Sequence, residues 1–119
     1  MRTILTVDDS TSMRQMVRAT LQSAGYDVVE AADGQEALDF ARTKSVDLVI
    51  SDVNMPRMDG ITLVQNLRAL PTYRLTPLLL LTTESSQEKK MEGKKAGATG
   101  WIVKPFNPAQ LLATLQKLL

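Results

Sequence analysis

Residues 48–60, LVISDVNMPRMDG, place an aspartate at the end of an apolar run and follow it with a turn. Leu48, Val49 and Ile50 have the composition of a strand that is buried on both faces. A carboxylate at the end of such a strand, here Asp52, costs free energy unless another group pairs with it. The segment therefore predicts a buried strand that delivers an acidic side chain to a site at its carboxyl end.

Strand-like and helix-like segments alternate along the rest of the chain. The strand-like runs are residues 3–7, 26–30, 46–51, 77–81 and 101–103. After four of the runs, apolar residues recur at helical spacing, and capping residues such as Ser10, Asp33 and Asn107 precede helical segments. The segment after the fourth run is instead a polar helix rich in Ser, Gln, Glu and Lys. Gly25 and Gly97 end the first and fourth helical patterns. The alternation predicts five strand–helix units.

Five such units predict an α/β fold: a doubly wound, five-stranded parallel sheet with helices on both faces. A closed eight-stranded barrel needs about twice this length. We therefore expect a single domain over residues 1–119. In an open sheet of this kind, ligands bind beyond the carboxyl ends of the strands.

Composition narrows the classes of function. Fourteen basic against 13 acidic residues give a formal net charge of +1, which provides no general attraction to nucleic acid or to an anionic membrane. The chain has no cysteine and no apolar run near the roughly 18 residues of a membrane span. We expect a cytoplasmic protein without membrane insertion. The absence of histidine removes histidine catalysis, histidine metal ligands and phosphohistidine.

Polar side chains follow four of the five predicted strands. They are Asp8 and Asp9 after the first strand, Asp52 after the third, Thr82 and Thr83 at the end of the fourth, and Lys104, followed by Pro105, after the fifth. Because the carboxyl ends of parallel strands share one edge, we expect these residues to surround one crevice.

Each of these residues also has an ordinary structural alternative. The alternatives are a cap of the first helix for Asp8 or Asp9, a turn for Asp52, a cap of the fourth helix for Thr82 or Thr83, solvent for Lys104 and core packing for Trp101. Taken together, these alternatives do not explain why the carboxylates cluster, because uncompensated carboxylates at one edge of a sheet repel each other by on the order of several kcal/mol. The cluster predicts a bound cation.

Mg²⁺ fits this cluster best, since it prefers oxygen ligands and binds through one or two carboxylates together with a phosphate oxygen. A lysine and a hydroxyl beside the metal indicate a phosphoryl group as a second anion. One carboxylate can then act as a nucleophile and form an aspartyl phosphate.

The motifs that carry these residues resemble a known family. Asp8-Asp9, SDVNMPRMDG with Asp52, LLTTE with Thr82 and KPF with Lys104 resemble the receiver domains of two-component response regulators, and in particular the single-domain chemotaxis regulators. The resemblance covers essentially the whole chain. It implies the strand order 2-1-3-4-5.

The resemblance also implies roles for the residues of the crevice. Asp52 accepts the phosphoryl group, and Lys104 pairs first with its carboxylate and then with the phosphoryl oxygens. Asp9 binds Mg²⁺ directly, Asp8 binds it through water, and Asn54 offers its backbone carbonyl. Pro105 corresponds to a cis proline that aims the lysine.

The resemblance also implies which residues transmit the signal and which set its duration. Thr82 donates its hydroxyl to the phosphoryl group and draws the loop inward, and Trp101 occupies the place of an aromatic switch. Tyrosine or phenylalanine is usual there, so the larger indole predicts a damped switch. Asn54 and Glu84 resemble the residues that tune hydrolysis in fast-resetting chemotaxis receivers, whereas Thr83 predicts a narrower path for water and a slower reset.

Partners follow from the missing histidine and from the length of the chain. The donor must be another protein or a small acyl phosphate, and the resemblance implies a histidine kinase. The expected output is protein contact by a monomer through the face of the fourth helix, fifth strand and fifth helix. Four lysines, at 89, 90, 94 and 95, make that face basic, although a solvated helix face is the alternative. A flagellar motor switch is one candidate target, and a phosphorelay or another non-chemotaxis output is the alternative.

Two other classes of protein on this fold match less well. An aspartate-nucleophile phosphatase uses a carboxylate two residues after its nucleophile, where this chain has Asn54. A flavodoxin-like carrier needs a phosphate-binding loop after the first strand, where Asp8 and Asp9 would repel a phosphate. We therefore expect a signalling receiver that assists its own phosphorylation and dephosphorylation, and not an enzyme in the usual sense.

Overall fold

The computed structural model describes residues 2–119. In chain order its elements are β1 (Thr3–Val7), α1 (Thr11–Ser23), β2 (Asp27–Ala31), α2 (Gly34–Thr43), β3 (Leu48–Ser51), α3 (Gly60–Arg68), a 3₁₀ helix (Pro71–Tyr73), β4 (Leu78–Thr82), α4 (Gln87–Ala96), β5 (Gly100–Val103) and α5 (Pro108–Leu118). The five strands form one parallel sheet in the order β2-β1-β3-β4-β5. The predicted doubly wound fold and its strand order are confirmed. Of the expected domain range 1–119, Met1 lies outside the described residues.

The middle of the sheet is buried on both faces. Every residue of β3 and β4 is buried, which explains why their sequences are continuously apolar. The register pairs Val7 with Ser51, Ser51 with Leu80, and Thr82 with Val103. The residues that follow these strands therefore emerge at one edge of the sheet.

Helices cover both faces of the sheet and separate the core into two layers. On one side α2, α3 and α4 pack on the sheet through residues such as Leu38, Leu63 and Ala96. On the other side α1 and α5 pack through residues such as Leu21 and Leu111. Within residues 2–119, no helix is long and apolar enough to cross a bilayer.

Each α-helix begins at a side chain that accepts a hydrogen bond from a backbone N–H three residues later. The capping residues are Ser10, Asp33, Asp59, Ser86 and Asn107. Ser86, rather than Thr82 or Thr83, therefore caps α4, and Ser10 rather than an aspartate caps α1. The structure thus removes the capping alternative for these threonines and aspartates.

Candidate functional site

Three aspartates meet at the carboxyl edge of the sheet. One carboxylate oxygen from each of Asp8, Asp9 and Asp52 lies within 4.8 Å of the others. β1 delivers the first two, and β3 delivers the third. Asp8 and Asp52 are only 4% and 9% exposed, whereas Asp9 is open to solvent. The acidic site therefore has two enclosed carboxylates and one accessible carboxylate.

Lys104 reaches this site from the end of β5. Its Nζ donates to Asp8 Oδ2 at 2.8 Å and to Asp52 Oδ2 at 3.1 Å, and its side chain is 9% exposed. Lys104 therefore does not point into solvent. Burial alone would lower the pKa of Lys104, but the hydrogen bond to Asp8 and the charge of Asp52 outweigh it and raise that pKa above its ordinary value. The Lys104–Pro105 peptide bond is cis, as the resemblance implies.

Backbone groups hold the remaining oxygens of the two enclosed carboxylates. The N–H of Val53 donates to Asp52 Oδ1 at 2.7 Å, and the N–H of Ser10 donates to Asp8 Oδ1 at 2.9 Å. Each of the two carboxylates is thus fixed on one side by the backbone and on the other by Lys104. With Asp9 added, three carboxylates face one ammonium, so the site has an excess of negative charge.

This set of donors suits a hard divalent cation. The cluster offers oxygen atoms only, and the chain has no histidine or cysteine that would favour zinc or copper. A bound Mg²⁺ would compensate the excess charge through one or two carboxylates and would complete its coordination with water or phosphate. The residues present fit Mg²⁺.

The loop after Asp52 folds back against it. The N–H of Gly60 donates to Val53 O at 2.8 Å, and a Cβ on Gly60 would lie 2.0 Å from the Asp52 carbonyl oxygen. No other residue fits at position 60 without moving this backbone. Asn54, in the same loop, is exposed.

Thr82 ends β4 at the same edge and is fully buried. Its Oγ1 accepts a hydrogen bond from the N–H of Glu84 at 3.2 Å, so its own hydroxyl proton can serve another acceptor. Thr83, the next residue, is exposed, and Glu84 is half-buried.

Trp101 connects β5 to the loop after β4. Its Nε1 donates to the carbonyl of Glu84 at 2.9 Å, and its ring packs against the core. A Cβ on Gly93 of α4 would lie 2.9 Å from the indole Cζ3, so this glycine makes room for the large ring. Sequence reasoning missed Gly93, although a glycine inside a helical pattern is itself a signal of close packing.

The predicted output face is partly open. A groove between β5 and α5 is lined by residues that include Val103, Phe106 and Gln110. Of the four lysines on α4, Lys89 pairs with Glu92 at 3.2 Å. Lys90 and Lys94 instead flank a shallow pocket beside Trp101.

Comparisons with known proteins find relatives of the same fold over the whole chain. The sequence model of the response regulator receiver domain matches residues 4–116. The chemotaxis protein CheY-3 of Vibrio cholerae is 40% identical over 116 residues, which are 97% of this chain and 89% of that protein. The solved structure of the Vibrio cholerae chemotaxis protein CheY4 is 59% identical with a TM-score of 0.95, covering 100% of this chain and 99% of that one. The response regulator TrrA of Thermotoga maritima, solved in complex with Mg²⁺ and BeF, is 33% identical with a TM-score of 0.89, and each chain is covered completely.

Proposed function

The chain belongs to the response regulator receiver domain family, and we propose that Asp52 accepts a phosphoryl group from a histidine kinase in a Mg²⁺-dependent transfer. As a receiver of the CheY type it is a signalling protein of a two-component system. The observation that carries the proposal is the meeting of three carboxylates and one buried ammonium at one edge of the sheet.

The proposed metal ligands are the three aspartates and the backbone carbonyl of Asn54. The excess negative charge of the acidic site supports this assignment, as does the Mg²⁺ in the structure of the relative TrrA. When bound, Mg²⁺ would neutralise that charge and would stabilise negative charge on phosphoryl oxygens. By resemblance to the family, Asp9, which is exposed, would ligate directly, and Asp8, which Ser10 and Lys104 hold, would act through water.

The transfer uses Asp52 as the nucleophile. A carboxylate oxygen of Asp52 forms the new bond to phosphorus as the bond from phosphorus to the kinase imidazole breaks. The electron pair of the broken bond stays on the imidazole nitrogen. Lys104 follows the developing charge from the Asp52 carboxylate to the phosphoryl oxygens, and its raised pKa keeps it charged throughout.

The signal then leaves the site through the loop after β4. Thr82 turns its hydroxyl toward the new phosphoryl oxygens and draws Glu84, two residues later, with it. Because the Glu84 carbonyl accepts the indole N–H, this movement displaces Trp101 and alters the face formed by α4, β5 and α5. The larger indole still predicts a damped response.

The duration of the signal is set by the residues around the path of attacking water. Asn54 and Glu84 favour rapid hydrolysis of the aspartyl phosphate. Thr83, which is exposed directly beside the site, slows it by narrowing that path. We infer a phosphoryl lifetime of seconds, with Thr83 lengthening it.

The names of the relatives favour chemotaxis as the output. We propose a cytoplasmic, monomeric receiver, built as one domain over residues 1–119, that binds a target protein such as the flagellar motor switch. The basic residues Lys90 and Lys94 beside Trp101 suit an acidic partner segment.

Beryllofluoride, added with Mg²⁺, tests acceptor and switch together. It occupies the place of the phosphoryl group on Asp52, and Trp101 is the only tryptophan of the chain. We expect a shift of tryptophan emission in the wild-type protein and none in Asp52→Asn. An unchanged emission in the wild type would contradict the coupling to Trp101, and an equal shift in both would contradict Asp52 as the acceptor.

A further inference from the structure

The loop between β3 and α3, residues 53–59 and hereafter the site loop, carries the proposed metal ligand Asn54. Its two ends are fixed, because Val53 N–H donates to Asp52 Oδ1 at 2.7 Å and Gly60 N–H donates to Val53 O at 2.8 Å. Between these ends most of the site loop is exposed. Its position therefore depends on what holds its tip.

The tip is a tight turn centred on Arg57. The N–H of Met58 donates to Pro56 O at 2.7 Å, and Arg57 between them has φ +65°. A three-residue turn with a positive φ is rare and strained, and an arginine has none of the freedom of glycine there. Such a conformation persists only where surrounding contacts impose it.

Asp33 makes the contact that holds Arg57. Arg57 Nε donates to Asp33 Oδ2 at 2.9 Å, and Nη2 donates to Oδ1 at 3.1 Å, so the ion pair is bidentate. Asp33 is held by a second contact, because it caps α2 by accepting from Glu36 N–H at 2.9 Å. Its side chain is 12% exposed, whereas that of Arg57 is 61% exposed. The hydrogen bonds from Arg57 and from Glu36 lower the pKa of Asp33 below its usual value.

A second contact lies beside the ion pair. Met58 of the site loop packs directly on Gly34, the first residue of α2, where a Cβ would lie 2.6 Å from the Met58 carbonyl oxygen. The site loop thus meets the start of α2 at two adjacent points, one charged and one close-packed.

We propose that Arg57 is a positioning residue whose ion pair with Asp33 clamps the site loop onto α2 and so holds the Asn54 carbonyl beside Asp52 for the metal. This rests on the proposed function. Release of the clamp lets the strained turn relax three residues from Asn54. The ion pairs of Lys104 do not involve the site loop, so they survive that release.

The test compares two aspartates of α2. Asp33→Asn keeps an amide oxygen to cap the helix and removes the charge that binds Arg57. Asp39→Asn removes the same charge from the same helix, but Asp39 pairs with Arg42 and makes no hydrogen bond to Arg57. Arg57→Gly is a third variant, which removes the ion pair while tolerating the positive φ.

Two readouts follow metal binding and the loop itself. The first is Mn²⁺ affinity from the electron paramagnetic resonance of the free ion, with Mg²⁺ as competitor. The second is native-state trypsin cleavage after Arg57, scored by mass. We expect Asp33→Asn to weaken Mn²⁺ binding about tenfold, as loss of an outer positioning contact typically does, and to accelerate the cleavage. Arg57→Gly should weaken binding as well, and Asp39→Asn should leave both readouts at the wild-type value.

The outcomes separate the clamp from the proposed function. Unchanged Mn²⁺ affinity in Asp33→Asn and Arg57→Gly, with normal binding by the wild type, would overturn the clamp alone. Equal weakening in Asp39→Asn would also overturn it, because general charge and not the ion pair would then be responsible. Absence of Mn²⁺ binding by the wild-type protein would overturn the proposed function, and the clamp with it.

Discussion

Lys104 and Asp8 form the shortest ion pair of the acidic site, with Nζ 2.8 Å from Oδ2 across 96 residues of sequence. Because the same ammonium also binds Asp52, one lysine ties together the ends of β1, β3 and β5. It is a structural element of the site before any phosphoryl group arrives.

Replacing Lys104 therefore destabilises the protein. Lys104→Met leaves two enclosed carboxylates without their cation, and we expect a loss of about 3 kcal/mol in the free energy of unfolding at neutral pH. Lys117→Met, on the exposed end of α5, is the matched control and should stay near the wild type. Urea unfolding without Mg²⁺ measures both, and equal effects of the two substitutions would contradict the role of Lys104.

The difference in unfolding free energy between the wild type and Lys104→Met should depend on pH in one direction only. The pKa of Lys104 is raised in the folded protein, so its stabilisation is fully present below the ordinary lysine value of 10.5 and is lost as the pH rises through the higher folded value. The gap in unfolding free energy between wild type and Lys104→Met should therefore narrow above pH 10.5. A gap that stays constant over that range would contradict the ion pairs as its cause.

Unlike Lys104→Met, Asp52→Asn should stabilise the metal-free protein. Removing one of three clustered carboxylates relieves repulsion, and we expect a gain of about 1 kcal/mol in the absence of divalent ions. Mg²⁺ should raise the thermal midpoint of the wild type clearly and that of Asp52→Asn much less. Asp27→Asn, at an exposed position of β2, serves as the control. If Mg²⁺ raised the thermal midpoint of Asp52→Asn as much as that of the wild type, Asp52 would not be a metal ligand.

The indole of Trp101 should require a glycine at position 93. Alanine in a helix normally gains about 0.5–1 kcal/mol over glycine, but here its Cβ would lie 2.9 Å from the indole and 3.1 Å from Leu80. Because over-packing typically costs about 1–3 kcal/mol, we expect Gly93→Ala to be destabilising and to shift the emission of Trp101. The double variant Gly93→Ala/Trp101→Phe should recover stability, and a more stable Gly93→Ala would contradict the packing.

Thr83→Ala should shorten the life of the aspartyl phosphate. The smaller side chain widens the approach of water, and we expect a rate about threefold higher, equivalent to roughly 0.7 kcal/mol in the barrier. The measurement is the rate of hydrolysis of the isolated phosphoprotein. Ser85→Ala, which changes a nearby exposed residue, is the control. A slower hydrolysis in Thr83→Ala would show that Thr83 does not obstruct water.

The sequence predicted the sheet well, since burial of β3 and β4 on both faces leaves an unbroken apolar run. Strand boundaries shifted by one or two residues: the run at 46–51 begins as a strand at Leu48, and the run at 77–81 extends to Thr82. The 3₁₀ helix at Pro71–Tyr73 was not predicted, because three residues are too few for periodicity.

The gathering of Asp8, Asp9, Asp52 and Lys104 was also predictable, because a parallel sheet brings the ends of its strands to one edge. The contacts of Arg57 with Asp33 and of Gly93 with Trp101 were not. They depend on where neighbouring helices and loops place long side chains, and no local pattern encodes that.

Mg²⁺-dependent labelling by acetyl phosphate, followed by intact mass and peptide mapping, tests whether Asp52 is the phosphoryl acceptor. We expect one phosphoryl group on Asp52 of the wild-type protein with Mg²⁺, none with a chelator, and none in Asp52→Asn. Because the chain has no histidine, phosphohistidine cannot mimic this label. Labelling that persists with the chelator, or its absence with Mg²⁺ present, would show that Asp52 is not a Mg²⁺-dependent phosphoryl acceptor.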